Sequence, residues 1–238
     1  MARFTVAVPL EHKIRSIFEI ESLLRTPLNL LPLIRATLNQ SVWEEVLGID
    51  TNTGDPARNH RFEPRSKYGD EIFYAMSPYM RIAEYLLQIK VSPSDVFMDV
   101  GCGLGRVACL AATLPFKRVI GLELDHSRAS LARINFDQLR YKLAPLEVMV
   151  ADILDAHAQA AINESTVFYL YDPFGRTTLT EFARLIEQSK QSFPRRIQII
   201  FVPGESVFGL EKLKVFERQL SRLSIRNGGR FYHLTSIA

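Results

Sequence analysis

From about Asp95 onward, short β-branched runs alternate with helical patterns. That alternation constrains the fold more than any other feature, because it is the signature of a parallel sheet with helices on its faces. Five strands are expected at Val96–Val100, Arg118–Leu124, Leu146–Val150, Val167–Tyr171 and Arg196–Val202. Helices are expected between them at Arg106–Leu114, Ser127–Tyr141, Asp155–Ala161 and Thr178–Ser192. Ser127 is the expected cap of the second of these, and Thr178 with Glu181 reads as a capping box for the last. Near the end, a short helix at Ser206–Leu213 and an Asn227-Gly228-Gly229 turn suggest a closing antiparallel hairpin. The expected fold class is α/β: a doubly wound, mostly parallel, seven-stranded Rossmann-like sheet.

Upstream of Asp95 the texture is helical. Ile14, Ile17, Phe18 and Leu24 recur at helical spacing over Glu11–Arg25, until Pro27 intervenes. A second helix is expected after Pro32, and a short third around Trp43–Leu47. Asp50–Arg65 reads as a long loop, and loops of that length are commonly functional or mobile. A further helix is expected with Ser77 as its cap and Pro78 in its first turn. The expected division is a helical extension over residues 1–66 and a cofactor-binding domain over 67–238.

Composition excludes several classes. The 238 residues are 47% hydrophobic and 23% charged, with a net charge of +3, which is ordinary for a globular chain. So small an excess of positive charge argues weakly against nucleic acid as a partner. Two cysteines cannot build a disulfide framework or a four-thiolate zinc site, and they suit a reducing compartment. The first residues lack the apolar core of a signal peptide, and no apolar run is long enough to span a bilayer. A cytoplasmic protein without membrane or metal is expected, and the oligomeric state is left open.

The most informative segment is Val96-Phe97-Met98-Asp99-Val100-Gly101-Cys102-Gly103-Leu104-Gly105-Arg106. Glycines at alternate positions let the chain turn tightly from strand to helix and let a ligand approach the backbone. The loop lies at the carboxyl end of the first strand, where open α/β sheets bind ligands. Glu123 ends the second strand, where a carboxylate can accept hydrogen bonds from ribose hydroxyls. Asp152 follows the third strand and could receive an adenine amine, with Ile153 on the ring face. Taken together, these residues describe an adenosine-shaped site. A dinucleotide loop would carry its third glycine at the position of Arg106, and Asp99 would repel a pyrophosphate. A nicotinamide oxidoreductase therefore ranks last.

The acidic-x-G-x-G-x-G form resembles the class I S-adenosylmethionine-dependent methyltransferases. The resemblance covers Asp95 to the C-terminus. It implies that Asp99, Gly101, Gly103 and Gly105 form the first cofactor motif, with Asp99 near the cationic methionine amine. It implies that Glu123 holds the ribose and Asp152 the adenine.

The fourth strand ends in Tyr171-Asp172-Pro173-Phe174, which is similar to the Asn/Asp-Pro-Pro-aromatic segment of nitrogen methyltransferases but lacks the second proline. By that resemblance Asp172 would orient an incoming amine, and Pro173 and Phe174 would wall the site. Lys67-Tyr68-Gly69-Asp70 resembles the Tyr-Gly-Glu segment of the non-SET histone lysine methyltransferases of the disruptor-of-silencing type, which would bring Tyr68 over the cofactor. The expected reaction is methyl transfer from S-adenosylmethionine to a nitrogen of a protein lysine or a small amine. The alternatives are an RNA methyltransferase, for which Arg218, Arg222, Arg226 and Arg230 form a loose basic series, and a non-catalytic cofactor-binding protein.

Overall fold

A computed structural model describes residues 32–52, 67–70, 76–203, 209–228 and 231–237. The helix expected at Glu11–Arg25 and most of the loop expected at Asp50–Arg65 lie outside the described residues, as does Gly229 of the expected turn. The elements in order are α1 (Pro32–Leu47), α2 (Tyr79–Gln88), β1 (Val96–Val100), α3 (Arg106–Ala111), β2 (Arg118–Glu123), α4 (His126–Gln138) and β3 (Leu146–Val150). They continue with α5 (Ala156–Glu164), β4 (Val167–Tyr171), α6 (Arg176–Ser192), β5 (Ile197–Val202), α7 (Gly209–Gln219), β6 (Leu223–Asn227) and β7 (Tyr232–Ser236).

The seven strands form one sheet in the order β3-β2-β1-β4-β5-β7-β6. The first five run parallel, and β7 is antiparallel to both β5 and β6. The chain crosses over twice from the centre, so β1 and β4 lie side by side and their loops open at the same edge. Ligands bind at such switch points.

Period-2 alternation sends successive side chains of β1 to opposite faces. Val96, Met98 and Val100 join a core with Phe182 and Ile186 of α6 and Phe216 of α7. Phe97 joins the other core, with Val107 of α3, Tyr79 of α2 and Trp43 of α1. Phe182 is fully buried and meets Phe168 and Phe174 edge to face. Burying a side chain of that size stabilises by about 1.5–3 kcal/mol. Asp99 stands on the α3 face, the one charged residue of a strand buried throughout.

The N-terminal side departs from expectation. The stretch after Pro32 is a single helix that runs through Trp43, not two helices. Trp43, Leu47 and Ile49 belong to the same core as the sheet, so residues 43–49 pack as part of it. The division expected at residue 66 falls among residues outside the description.

Three caps also differ. Ser77 gives its hydroxyl to a 2.8 Å bond with Tyr169, and Pro78 takes the cap position of α2. Asp125, not Ser127, caps α4 by accepting from the Ser127 and Arg128 amides. Helix α6 starts at Arg176, and its cap comes from the distant Asp70, as described below. Helix α7 runs on to Gln219 because Leu213, Phe216 and Leu220 share one buried face. Among the described residues no helix is long and apolar enough to cross a membrane.

Candidate cofactor and methyl-transfer site

The β1–α3 loop is held by few bonds of its own. The Gly101 and Cys102 amides donate to Leu122 O at 2.9 and 2.8 Å, and the Gly105 amide donates to Cys102 O at 2.8 Å. Its path needs the left-handed region at Gly101 (φ +79°), Gly103 (φ +55°) and Gly105 (φ +84°). Two of these glycines also leave little room for a side chain. A Cβ on Gly101 would stand 3.2 Å from Pro173 Cβ, and one on Gly105 would stand 3.1 Å from Ala132 Cβ. The first contact brings the glycine loop against the loop after β4.

The carboxylates predicted from sequence line the same edge. Asp99 is 2% exposed, and its Oδ2 accepts from the Ala108 amide at 3.1 Å. Burial raises its pKa to about 8, against the lowering pull of that amide and with a smaller push from Glu123. Glu123 is also buried and also raised by burial. Its Oε2 accepts from the Gly103 amide at 2.7 Å and its Oε1 from the Asp125 amide at 2.9 Å, which ties the glycine loop to the end of β2. Asp152 accepts from Leu154 N at 2.9 Å and from Lys67 N at 2.7 Å. Ile153 is buried in the core with α5 and α6, so its side chain serves packing rather than an adenine face.

The contact from Lys67 to Asp152 is one end of a strap. At the other end the Asp70 carboxylate accepts from the Thr177 and Thr178 amides at 3.1 and 3.2 Å and from the Thr178 hydroxyl, which caps α6. The Asp70 carbonyl accepts from the Gly175 amide, and a Cβ on Gly175 would stand 2.7 Å from Asp70 Oδ2. The strap therefore joins the end of β3 to the start of α6, across the ends of β2 and β1. Three strand spacings come to about 14 Å, close to the reach of about four extended residues. Tyr68 and Gly69 lie in the middle, with Gly69 at φ +63° and Tyr68 42% exposed. Tyr68 thus lies on the segment that crosses the site.

After β4 the chain turns through Asp172, which has φ +42°. Its carboxylate forms a buried ion pair with Lys212 of α7, and the same ammonium donates to Phe174 O at 3.1 Å. Pro173 faces Gly101. Phe174 does not wall the site. Its ring packs 5.9 Å from Phe182 in the core, and it is 7% exposed.

Sequence reasoning missed Lys212, and it missed the capping role of Asp70. Lys212 had a legible signal, since it stands four residues before Phe216 on the apolar face of its helix. Asp70 had none, because its partners are more than a hundred residues away.

Neither thiol is a nucleophile here. Cys102 and Cys109 are both buried, and burial pushes Cys102 well up and Cys109 up to about 12. The edge therefore offers a set of carboxyl groups beside a glycine backbone, with both thiols held protonated. A cation beside the buried Asp99 would offset the cost of ionising it, and Glu123 and Asp152 offer acceptors for hydroxyls and an amine.

The chain resembles known proteins in sequence and in fold. Residues 65–167 match the sequence model of the family described as "Histone methylation protein DOT1". The chain is 28% identical over 136 residues to a Drosophila melanogaster protein named "Histone-lysine N-methyltransferase, H3 lysine-79 specific". That alignment covers 52% of this chain and 7% of the relative, so the chain spans a small part of the relative's length. Among solved structures, a precorrin-6y C5,15-methyltransferase from Geobacter metallireducens GS-15 superposes with a TM-score of 0.55 at 12% identity, covering 76% of this chain and all of that one. The methyltransferase domain of bacterial CtHen1-C superposes with a TM-score of 0.51 at 12% identity, covering 67% and 98% of the two chains. The fold is that of the class I methyltransferases.

Proposed function

From a class I methyltransferase fold whose residues 65–167 match a histone-methylation family, we propose that this chain transfers the methyl group of S-adenosylmethionine to a nitrogen nucleophile, a protein lysine or a small amine. One observation carries the reading. Asp99, Glu123 and Asp152 stand in a row at the ends of β1, β2 and β3, around a loop with three left-handed glycines. In this reading Asp99 meets the methionine ammonium, Glu123 the ribose hydroxyls and Asp152 the adenine amine. The residues fit such a ligand: an ammonium beside Asp99 offsets the cost of ionising a buried carboxylate.

The cofactor, when bound, supplies a methyl group on a sulfonium, so the protein's part is position and electrostatics. Pro173 and the glycine loop, which approach each other at Gly101, would hold the methyl-bearing end. The strap from Lys67 to Asp70 would limit access of water to it. Asp172, held by Lys212, accepts a hydrogen bond from the incoming nitrogen and aims its lone pair. Alignment of that kind removes much of the barrier to an in-line displacement.

A lysine acceptor is supported by the description of the matched family and by the substrate in the name of the Drosophila relative. The RNA alternative gains little, since Arg226 of the basic series is bonded to Gln88 O at 3.2 Å and lies 3.3 Å from His233. Two buried, unpaired cysteines suit a reducing compartment, and we place the activity in the cytoplasm.

The test is incubation with methyl-labelled S-adenosylmethionine and either core histones or fractionated lysate. Label on lysine Nζ or on a small amine is expected. Label confined to RNA or to oxygen acceptors would overturn the nitrogen assignment. Substitutions at Asp172 separate its roles. Asp172→Asn keeps an acceptor oxygen but removes the charge that pairs with buried Lys212. With S-adenosylhomocysteine binding and Tm preserved, turnover within about tenfold is expected, while a fall of about a hundredfold or more together with loss of the acid limb of the pH–rate profile would mean that the carboxylate moves a proton.

A further inference from the structure

Arg106 follows the third glycine of the cofactor loop, and its side chain turns away from the carboxylate row. It is 4% exposed. Nε donates to Thr51 Oγ1 and Nη2 to Asn52 Oδ1, both at 2.7 Å, and Nη1 donates to Ser77 O at 3.1 Å. Glu44 Oε1 lies 3.6 Å from Nη2, and the guanidinium carbon stands 4.5 Å from the centre of the Tyr79 ring. Nη2 also donates to Met76 Sδ at 3.4 Å, so the partners fall into two groups: Glu44, Thr51 and Asn52 on one segment, and Met76, Ser77 and Tyr79 at the start of α2. The first segment is itself closed by Glu44, whose carboxylate accepts from the Thr51 amide and hydroxyl and from the Asn52 side-chain amide.

A second bridge joins the same two segments. Asn135 of α4 donates through Nδ2 to Asp50 O and to Leu104 O, each at 2.9 Å, and accepts from the Asp50 amide at 2.9 Å. One side-chain amide thus holds the backbone of the glycine loop and the backbone of the N-terminal segment together. Asn135 is 3% exposed, so water does not replace these bonds readily.

The glycine loop needs such outside support. Three left-handed glycines make it conformationally permissive, and loops of that kind lose much entropy on ordering. We propose that residues Glu44–Asn52 form a clamp on the cofactor loop, with Arg106 and Asn135 as the positioning residues through which the clamp sets cofactor affinity. The proposal rests on the reading that this loop holds S-adenosylmethionine. A bond to a buried guanidinium is among the stronger kinds, and fixing the loop before binding spares the ligand the cost of ordering it. Linkage makes the effect reciprocal, so a ligand on the loop must also stabilise the clamp.

The experiment uses the full chain and S-adenosylhomocysteine. Calorimetry compares wild type with Arg106→Met and with Thr51→Val, which removes the hydroxyl that accepts from Nε and keeps the volume. Binding is expected to weaken about tenfold in Arg106→Met and about threefold in Thr51→Val. Hydrogen exchange supplies a readout that a purely structural arginine would not move. In wild type the ligand should slow exchange at the Gly48, Ile49 and Thr51 amides, and in Thr51→Val that slowing should shrink. If Arg106→Met does not fold, Thr51→Val decides. Binding within twofold of wild type, even with lowered thermal stability, overturns the clamp, as does unchanged exchange at those amides. Failure of the wild type itself to bind would overturn the cofactor reading, a different outcome.

Discussion

At Asp99, burial and ligand chemistry pull in opposite directions. Burial raises its pKa to about 8, whereas the unfolded chain ionises the same group near the ordinary aspartate value of about 4. Without ligand the folded protein holds this proton more tightly than the unfolded chain does. The resulting stabilisation is fully present below about pH 4 and is lost as pH rises through about 8. Thermal midpoints of the free protein should therefore fall between about pH 4 and pH 8 from this group and level off above that, and Asp99→Asn should flatten that part of the curve. A ligand ammonium reverses the preference. S-adenosylhomocysteine should bind more tightly as pH rises from about 6 to 8, with release of about one proton near pH 7. Calorimetry in two buffers of different ionisation enthalpy measures that proton, and proton uptake would contradict the assignment. Gly101 gives a second test at this scale. Gly101→Ala must hold φ +79° with its Cβ 3.2 Å from Pro173. It should cost about 1–2 kcal/mol in denaturant unfolding from the backbone alone, and S-adenosylhomocysteine binding should weaken with it.

Among the elements, the strands were the most legible and the helix caps the least. The five parallel strands appear within two residues of their expected bounds, because an apolar run between turns has few other solutions. Caps depend on which acceptor reaches an amide in space. Ser77, Ser127 and Thr178 were all reasonable local choices, yet Tyr169, Asp125 and Asp70 determine the outcome. At α6 the cap arrives from across the sheet, and no local pattern encodes it. Asp70→Ala should remove it at a cost of about 0.5–2 kcal/mol. For a chain of this size each kcal/mol lowers Tm by about 2–4 °C, which calorimetric scanning resolves. The same change loosens one end of the strap, leaving only its backbone bond to the Gly175 amide, so S-adenosylhomocysteine binding should weaken as well. Asp70→Asn, which keeps an acceptor, should fall between the two. An unchanged Tm and affinity in Asp70→Ala would show that the strap is held by its backbone bonds to Asp152 and Gly175 without the Asp70 carboxylate.

Over the whole molecule, position along the sheet edge was easier to read than pairing between distant elements. That the glycine loop, Glu123 and Asp152 share one edge was legible because a local order of strand, turn and helix places them. Lys212 was not legible as a partner of Asp172, because that pair forms only when α7 packs beside α6. Phe174 and Ile153 were assigned to the site but turned inward, since a large apolar residue after a buried strand gains more from the core than from a ligand face. Residues 43–52 are joined to the sheet, through Trp43 stacked 5.7 Å from Tyr79 and through the Arg106 bonds. Cofactor binding is the claim on which the rest of the account depends. Titration of the full chain with S-adenosylhomocysteine and, separately, with a nicotinamide dinucleotide tests it most directly. Saturable one-to-one binding of the first and none of the second is the expected result. Binding of the nicotinamide dinucleotide, or of neither ligand, would contradict it.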